Sequence, residues 1–198
     1  MSQVSQVLSR AVADARKTFD SLETLQPDLE SAADLIATCL TSEKKMLVCG
    51  NGGSAADAAD FCTEFACRFQ EDRKPFPALN LSQGGSLITA TANDYSFDEI
   101  FARQVSAFGQ RGDVLIAIST SGKSANIRRA LEEGKSRGLK TIALLGRDGG
   151  NCKGIAEVDL IVTGNATARI QEAHKFLLHV LCESVEPQLM ASKANARS

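Results

Sequence analysis

The chain has 198 residues, 43% of them hydrophobic and 23% charged, with a formal net charge of -2. That length suits one domain with a sizeable core, and scattered basic residues on a slightly acidic chain argue against an electrostatic nucleic-acid footprint. No apolar run reaches the length of a membrane span, and the polar start Met1-Ser2-Gln3 does not open a signal peptide, so a cytosolic location is expected. Six cysteines, Cys39, Cys49, Cys62, Cys67, Cys152 and Cys182, form no C-x-x-C pair and fall mostly in apolar segments. They read as small buried thiols of a reducing compartment.

Taken in chain order, Leu8, Val12, Ala15, Phe19 and Leu22 recur at helical spacing, and Pro27 suits the start of a second helix carrying Leu29, Ala32, Ala33, Ile36 and Leu40. Both precede the first strand, so residues 1–44 read as a helical arm, which could cap its own core or, at least as readily, join an intersubunit bundle. From residue 45 short apolar runs alternate with helices. Met46–Cys49, Pro77–Leu81, Val114–Ile118, Thr141–Leu145 and Val158–Val162 read as strands. Helices are expected over 54–69, 84–92, 97–108, 124–137 and 166–190, followed by a frayed tail over 191–198. Apolar strands alternating with helices predict an α/β three-layer sandwich around a parallel sheet spanning 45–190. Ligands in such folds collect beyond the carboxyl ends of the strands.

Two of those ends carry unusual loops. Ser119-Thr120-Ser121-Gly122-Lys123-Ser124 follows the strongest strand and opens a helix. Free N–H groups at a helix start attract anions, and the hydroxyls of Ser119, Thr120, Ser121 and Ser124 add donors. A helix cap alone needs one hydroxyl, so four point to a phosphate. The nucleotide P-loop pattern fails, because its first glycine would fall at Ala117. The other loop, Gly50-Asn51-Gly52-Gly53-Ser54-Ala55, nearly matches the dinucleotide fingerprint. The second strand ends in Asn80-Leu81-Ser82-Gln83, without the carboxylate that would hold a ribose, which weakens a nicotinamide reading. Gly52, Gly53 and Ser54 could instead bring backbone groups close to a small polar substrate.

On the next helix Asp57, Asp60 and Glu64 share one face. Asp57 reads best as a first-turn acid complementing the helix dipole, whereas Glu64, deeper in the helix, does not. The last helix carries Gln171, Glu172, His174 and His179. The two histidines lie about 60° and 80° to either side of Gln171, so one at most shares its site, and spacing alone does not choose.

Four motifs in order carry a family likeness. They are Cys49-Gly50-Asn51-Gly52-Gly53-Ser54, Ala92-Asn93-Asp94, Ile118-Ser119-Thr120-Ser121-Gly122 with Ser124, and Arg169-Ile170-Gln171-Glu172 with His179. Together they resemble the phosphoheptose isomerases of the sugar isomerase (SIS) domain superfamily, over nearly the whole chain. The resemblance implies a five-stranded parallel, flavodoxin-like sheet and a homotetramer with active sites shared between subunits. It implies conversion of sedoheptulose 7-phosphate to D-glycero-D-manno-heptose 7-phosphate through an enediol, for bacterial heptose and surface polysaccharide synthesis.

In family terms Ser119, Thr120, Ser121 and Ser124 hold the phosphate, and Asn51, Gly52, Gly53, Ser54, Asn93, Asp94 and Gln171 line the sugar site. Glu64 is the implied base and His179 its partner acid, leaving His174 structural. Many members bind zinc through His, Glu, Gln and His; Glu64, Gln171 and His179 match, while Asp60 stands at the first histidine's position. Ala168 stands where some members have an aspartate near the substrate. The superfamily also includes sugar-phosphate-sensing domains and a tetrameric relative that binds the bacterial replication initiator. That relative lacks the catalytic glutamate, so Glu64 together with His179 favours an enzyme over a non-catalytic binding protein.

Overall fold

The structure is a computed structural model that describes residues 2–194. Five strands, β1 (Met46–Gly50), β2 (Ala78–Asn80), β3 (Val114–Ser119), β4 (Lys140–Gly146) and β5 (Val158–Val162), form one sheet in the order β2-β1-β3-β4-β5. Every pairing is parallel. The helices are α1 (Gln3–Asp20), α2 (Gln26–Thr41), α3 (Gly53–Ala66), α4 (Gly85–Asp94), α5 (Ala102–Phe108), α6 (Ala125–Ser136) and α7 (Thr167–Ala194).

The largely apolar central strands are explained by cover on both faces. Alternate residues point to opposite sides. Val48, Ile116, Ile142 and Leu144 pack with Ile36 and Leu40 of α2, Phe61 and Phe65 of α3, and Leu178 and Val185 of α7. Leu47, Leu115, Ala143 and Leu145 pack with Phe101 and Val105 on the α5 side and with Ile127 and Leu131 of α6. Of the two N-terminal helices, α2 therefore belongs to the layer that covers the sheet. The helix that stands out as an arm is α1, with Val4, Val7, Leu8 and Val12 exposed. Its last turn is anchored where the Phe19 ring meets Phe176 of α7, edge to face with centroids 5.1 Å apart.

Three expectations change in detail. The helix foreseen over 97–108 divides into a 3-10 turn at Phe97–Glu99 and α5, because the adjacent Ile100 and Phe101 both turn into the core. The strand at Pro77–Leu81 shortens to the three residues of β2 at the sheet edge. The tail foreseen as frayed from 191 instead continues α7 to Ala194, and residues 195–198 lie outside the described residues.

Helices α3 and α7 are joined beyond the apolar core by a buried ion pair. Arg73, in the segment after α3, puts Nε 2.9 Å from Oε1 of Glu186 on α7. The same guanidinium donates to the carbonyls of Glu64, Phe65 and Lys74. Burial alone would raise the Glu186 pKa, but the Gln70 N–H, the Arg73 guanidinium and the Glu71 N–H outweigh it and hold this carboxyl below its ordinary range. A depressed carboxylate contributes stability that is present above its unfolded pKa and is lost as pH falls through its folded value. Replacing Arg73→Met strands the Glu186 charge, and urea unfolding at neutral pH should show a loss of about 3–5 kcal/mol. The difference from the wild type should shrink on acidification below the carboxylate range; a loss independent of pH would show that packing, not the pair, is responsible.

Candidate functional site

In register, Gly50 at the end of β1 lies beside Ile118 near the end of β3. The β1 and β3 loops therefore emerge side by side, at the point where the strand order reverses. A reciprocal pair of amide hydrogen bonds links them. Asn51 Nδ2 donates to Asn126 Oδ1 at 2.9 Å, and Asn126 Nδ2 donates to Asn51 Oδ1 at 3.0 Å. Asn126 is buried in the first turn of α6. The sequence motifs did not single it out, since one asparagine in a helix carries no periodic signal. Ser82, after β2, is a second such residue: its hydroxyl donates to the Gly50 carbonyl and accepts from the Gly50 N–H.

The β3 loop is held open by its own hydroxyls. Ser119 Oγ lies 3.2 Å from Ser124 Oγ and 3.4 Å from Ser121 Oγ, and it accepts from the Gly122 N–H at 3.1 Å. Ser124 takes the N-cap position of α6, yet its side chain makes no capping hydrogen bond. Helix capping therefore does not account for these serines. The first-turn N–H groups keep their capacity to bind an anion, with the hydroxyls gathered beside them.

Gly122 is required twice over. Its φ is +64°, and a Cβ there would lie 2.2 Å from the Gly149 carbonyl oxygen of the loop after β4. That loop closes the cradle from the far side, where the Cys152 N–H donates to the Gly122 carbonyl at 3.0 Å.

The second part of the site is the seam between α3 and α7. Gly53, Asp57, Asp60 and Glu64 form a stripe on α3, and Gln171, Lys175 and His179 form one on α7. The stripes face each other. A Cβ on Gly53 would lie 2.4 Å from Gln171 Nε2, so the glycine makes room for that amide at the start of α3. Further along, Lys175 Nζ lies 3.1 Å from Asp57 Oδ1 and 2.5 Å from Asp60 Oδ2. Burial would lower the Lys175 pKa, but the Asp60 and Asp57 carboxylates win and hold it above its ordinary value.

The reading of Asp57 as a first-turn acid is thus corrected. It sits beyond the first turn, its side chain is only 4% exposed, and it is charge-paired across the seam. Lys175, which pairs it, went unnoticed because a lysine in a long helix ordinarily reads as a solvated residue.

His174 is fully buried, with Nε2 3.1 Å from the Leu145 carbonyl oxygen. Burial lowers its pKa to about 4, against smaller raising effects from the Leu145 carbonyl and Asp57. This histidine is a neutral core residue. Glu64 and His179 differ from it. Both are half-buried, and among the described residues neither side chain makes a hydrogen bond or ion pair, the His179 ring lying 5.9 Å from that of Phe69. Asn93 and Asp94 end α4 at the surface, where the Asn93 amide donates to the Asp94 carboxylate at 2.8 Å. No side-chain hydrogen bond ties that pair to the two loops among the described residues.

The expected zinc ligands do not fit a metal as arranged. Asp60 is engaged by Lys175, and its side chain is 64% exposed. Among the described residues, no three His, Cys, Asp or Glu side chains gather into a metal-holding group.

With this geometry the SIS domain family matches residues 12–146. A phosphoheptose isomerase of Shewanella denitrificans is 48% identical over 174 residues, 86% of this chain and 89% of the relative. The chain belongs to the phosphoheptose isomerase family of SIS-domain proteins. A second relative in that family, from Citrifermentans bemidjiense, is 49% identical over 83% of this chain and 86% of its own length. Phosphoheptose isomerase structures from Neisseria gonorrhoeae (TM-score 0.86, 38% identity, 93% of this chain and 100% of that one) and Francisella tularensis (0.88, 35%, 93% and 98%) share the whole architecture. The sugar isomerase domain of a Sphaerobacter thermophilus RpiR transcription factor, at 18% identity and TM-score 0.63, shares the fold.

The contact between Gly122 and Gly149 makes the cradle testable without substrate. Gly122→Ala should cost about 1–3 kcal/mol through strain at a positive φ. It should also abolish the stabilisation that inorganic phosphate gives the wild type in thermal melts. A variant of unchanged Tm and unchanged phosphate response would show that this turn does not shape the cradle.

Proposed function

We propose that the chain is a sedoheptulose 7-phosphate isomerase, forming D-glycero-D-manno-heptose 7-phosphate for bacterial heptose and surface polysaccharide synthesis. The observation that carries the reading is the β3 loop, whose serine hydroxyls gather at the start of α6 without capping it. The phosphate docks there, and the sugar chain extends past Asn51–Ser54 towards the α3–α7 seam.

The chemistry is a proton transfer between neighbouring carbons. The Glu64 carboxylate removes a proton from C1 of the ketose, and the electron pair moves into a C1–C2 double bond. The C2 carbonyl oxygen takes up a proton from His179, which completes the enediol. Return of the proton from Glu64 to C2, with the O1 proton passing to the His179 imidazole, gives the aldose and restores both groups. No electrons leave the sugar, so the reaction needs no redox partner. Each proton-transfer group of this kind contributes about 10²–10⁴-fold to rate. Glu64 and His179 are supported in these roles by their position on the seam and by carboxylate and imidazole groups without hydrogen-bond or ion-pair partners among the described residues. Asp60, on the same stripe of α3, is engaged by Lys175 and takes no part in these steps.

The proposal includes a cytosolic homotetramer with active sites shared between subunits. Support comes from the exposed Val4, Val7, Leu8 and Val12 on α1, and from a cleft of about 980 Å³ whose lining includes Phe19, Leu22, Leu29, Phe176 and Val180 beside charged and polar residues such as Glu23, Glu30 and Asp34. Such surface on a lone chain calls for a partner.

Turnover of sedoheptulose 7-phosphate by the purified protein is the deciding assay. Glu64→Gln and His179→Ala should each lower kcat by about 10²–10⁴-fold with little change in KM. A wild type inactive with or without added zinc would sink the isomerase reading, and full rates in both variants would sink the residue assignment. For assembly, light scattering should give four chain masses, and Val7→Asp with Leu8→Asp should lower that mass. A monomeric wild type would remove the support for shared sites.

A further inference from the structure

The α3–α7 seam already contains a cation of its own. Resting on the ligand positions of the isomerase reading, we propose that Lys175 takes the place of a divalent metal in this chain. The ammonium neutralises Asp57 and Asp60, locks α3 to α7, and excludes zinc from the seam.

Three observations converge on this. First, Lys175 lies on α7 four residues after Gln171 and four before His179, and so at the middle of the stripe that carries two of the implied zinc ligands. Asp60, on the facing stripe, carries the third implied position, and its Oδ2 lies 2.5 Å from Lys175 Nζ. Any cation bound at Asp60 would have to share that carboxylate with a fixed positive charge.

Second, the same ammonium reaches Oδ1 of the buried Asp57 at 3.1 Å, while Asp57 Oδ2 has no hydrogen-bond partner among the described residues. A carboxylate with a side chain 4% exposed is not stable as an unpaired charge, so the lysine is not free to swing away when a metal arrives.

Third, the substitution of carboxylate for imidazole at position 60 suits this arrangement. A neutral histidine cannot hold an ammonium by charge, whereas an aspartate can. Asp60 and Lys175 therefore make a matched pair across the seam. Lys175 acts as a positioning residue: it aligns the stripe bearing Glu64 with the stripe bearing Gln171 and His179.

The test is zinc binding, followed by competition with a chromogenic chelator on protein purified without chelator. Wild type should bind zinc weakly and purify without a stoichiometric metal. Lys175→Met should bind at least about tenfold more tightly. It should also melt at a lower temperature than wild type and recover part of that loss on adding zinc, while wild type shows no zinc response. Lys175→Arg, which keeps the charge, should behave as wild type. If Lys175→Met does not fold, Lys175→Gln serves the same comparison. The proposal is overturned if wild type holds one zinc as tightly as the charge-removed variant, or if neither binds zinc measurably. Turnover is not the readout, so an inactive wild type would strike the isomerase reading and leave this result to stand or fall on its own.

Discussion

The parallel pairing of β1 with β3 is the constraint on which the rest depends. Because Gly50 lies beside Ile118, the two loops that bear the most distinctive residues leave the sheet next to each other. Their helices, α3 and α6, then go to opposite faces. One loop ends in an anion cradle, and the other starts the helix that carries Glu64. A slip of this register by one residue would reverse every side chain in the strands and separate the loops. The Asn51–Asn126 amide pair spans the gap at the point where the register brings the loops together.

The site divides into two electrostatic environments. At the start of α6, hydroxyls and uncapped N–H groups favour an anion without a full positive charge from the loop's own serines. Along the α3–α7 seam, by contrast, formal charges are matched one against another: Lys175 with Asp57 and Asp60, and Arg73 with Glu186 further on. Glu64 and His179 sit among these pairs without joining them. Their distinction from their neighbours is chemical availability. His174, on the same helix, shows the alternative outcome: complete burial and a carbonyl partner keep it neutral.

Family membership does not rest on the charges of the seam. The architecture follows that of the Neisseria gonorrhoeae and Francisella tularensis phosphoheptose isomerases across nearly the whole chain. Fold is held by the apolar layers, which do not involve positions 57, 60 and 175. Charges in the seam can therefore be rearranged without disturbing the sheet.

Much was legible from the residues alone. The five apolar runs marked the strands, because a sheet covered on both faces needs side chains that are apolar in both directions. The four hydroxyls around Gly122 marked the loop that opens α6 as distinctive, because that chemistry is local to one loop. Other features needed the folded chain. The division of 97–108 turned on where Ile100 and Phe101 could be buried. Asn126, Ser82 and Lys175 have roles set by partners as far as 115 residues away, as for Lys175 with Asp60. Asp57 has the sequence position of a helix-end acid, and only the fold sets a lysine from α7 against it. Sequence determined the fold class, the hydroxyl-rich loop and the candidate acid and base, since each rests on local pattern or motif. Which histidine is buried and which carboxylates are already paired were decided only by tertiary structure, because charge pairing depends on neighbours that the chain order does not reveal.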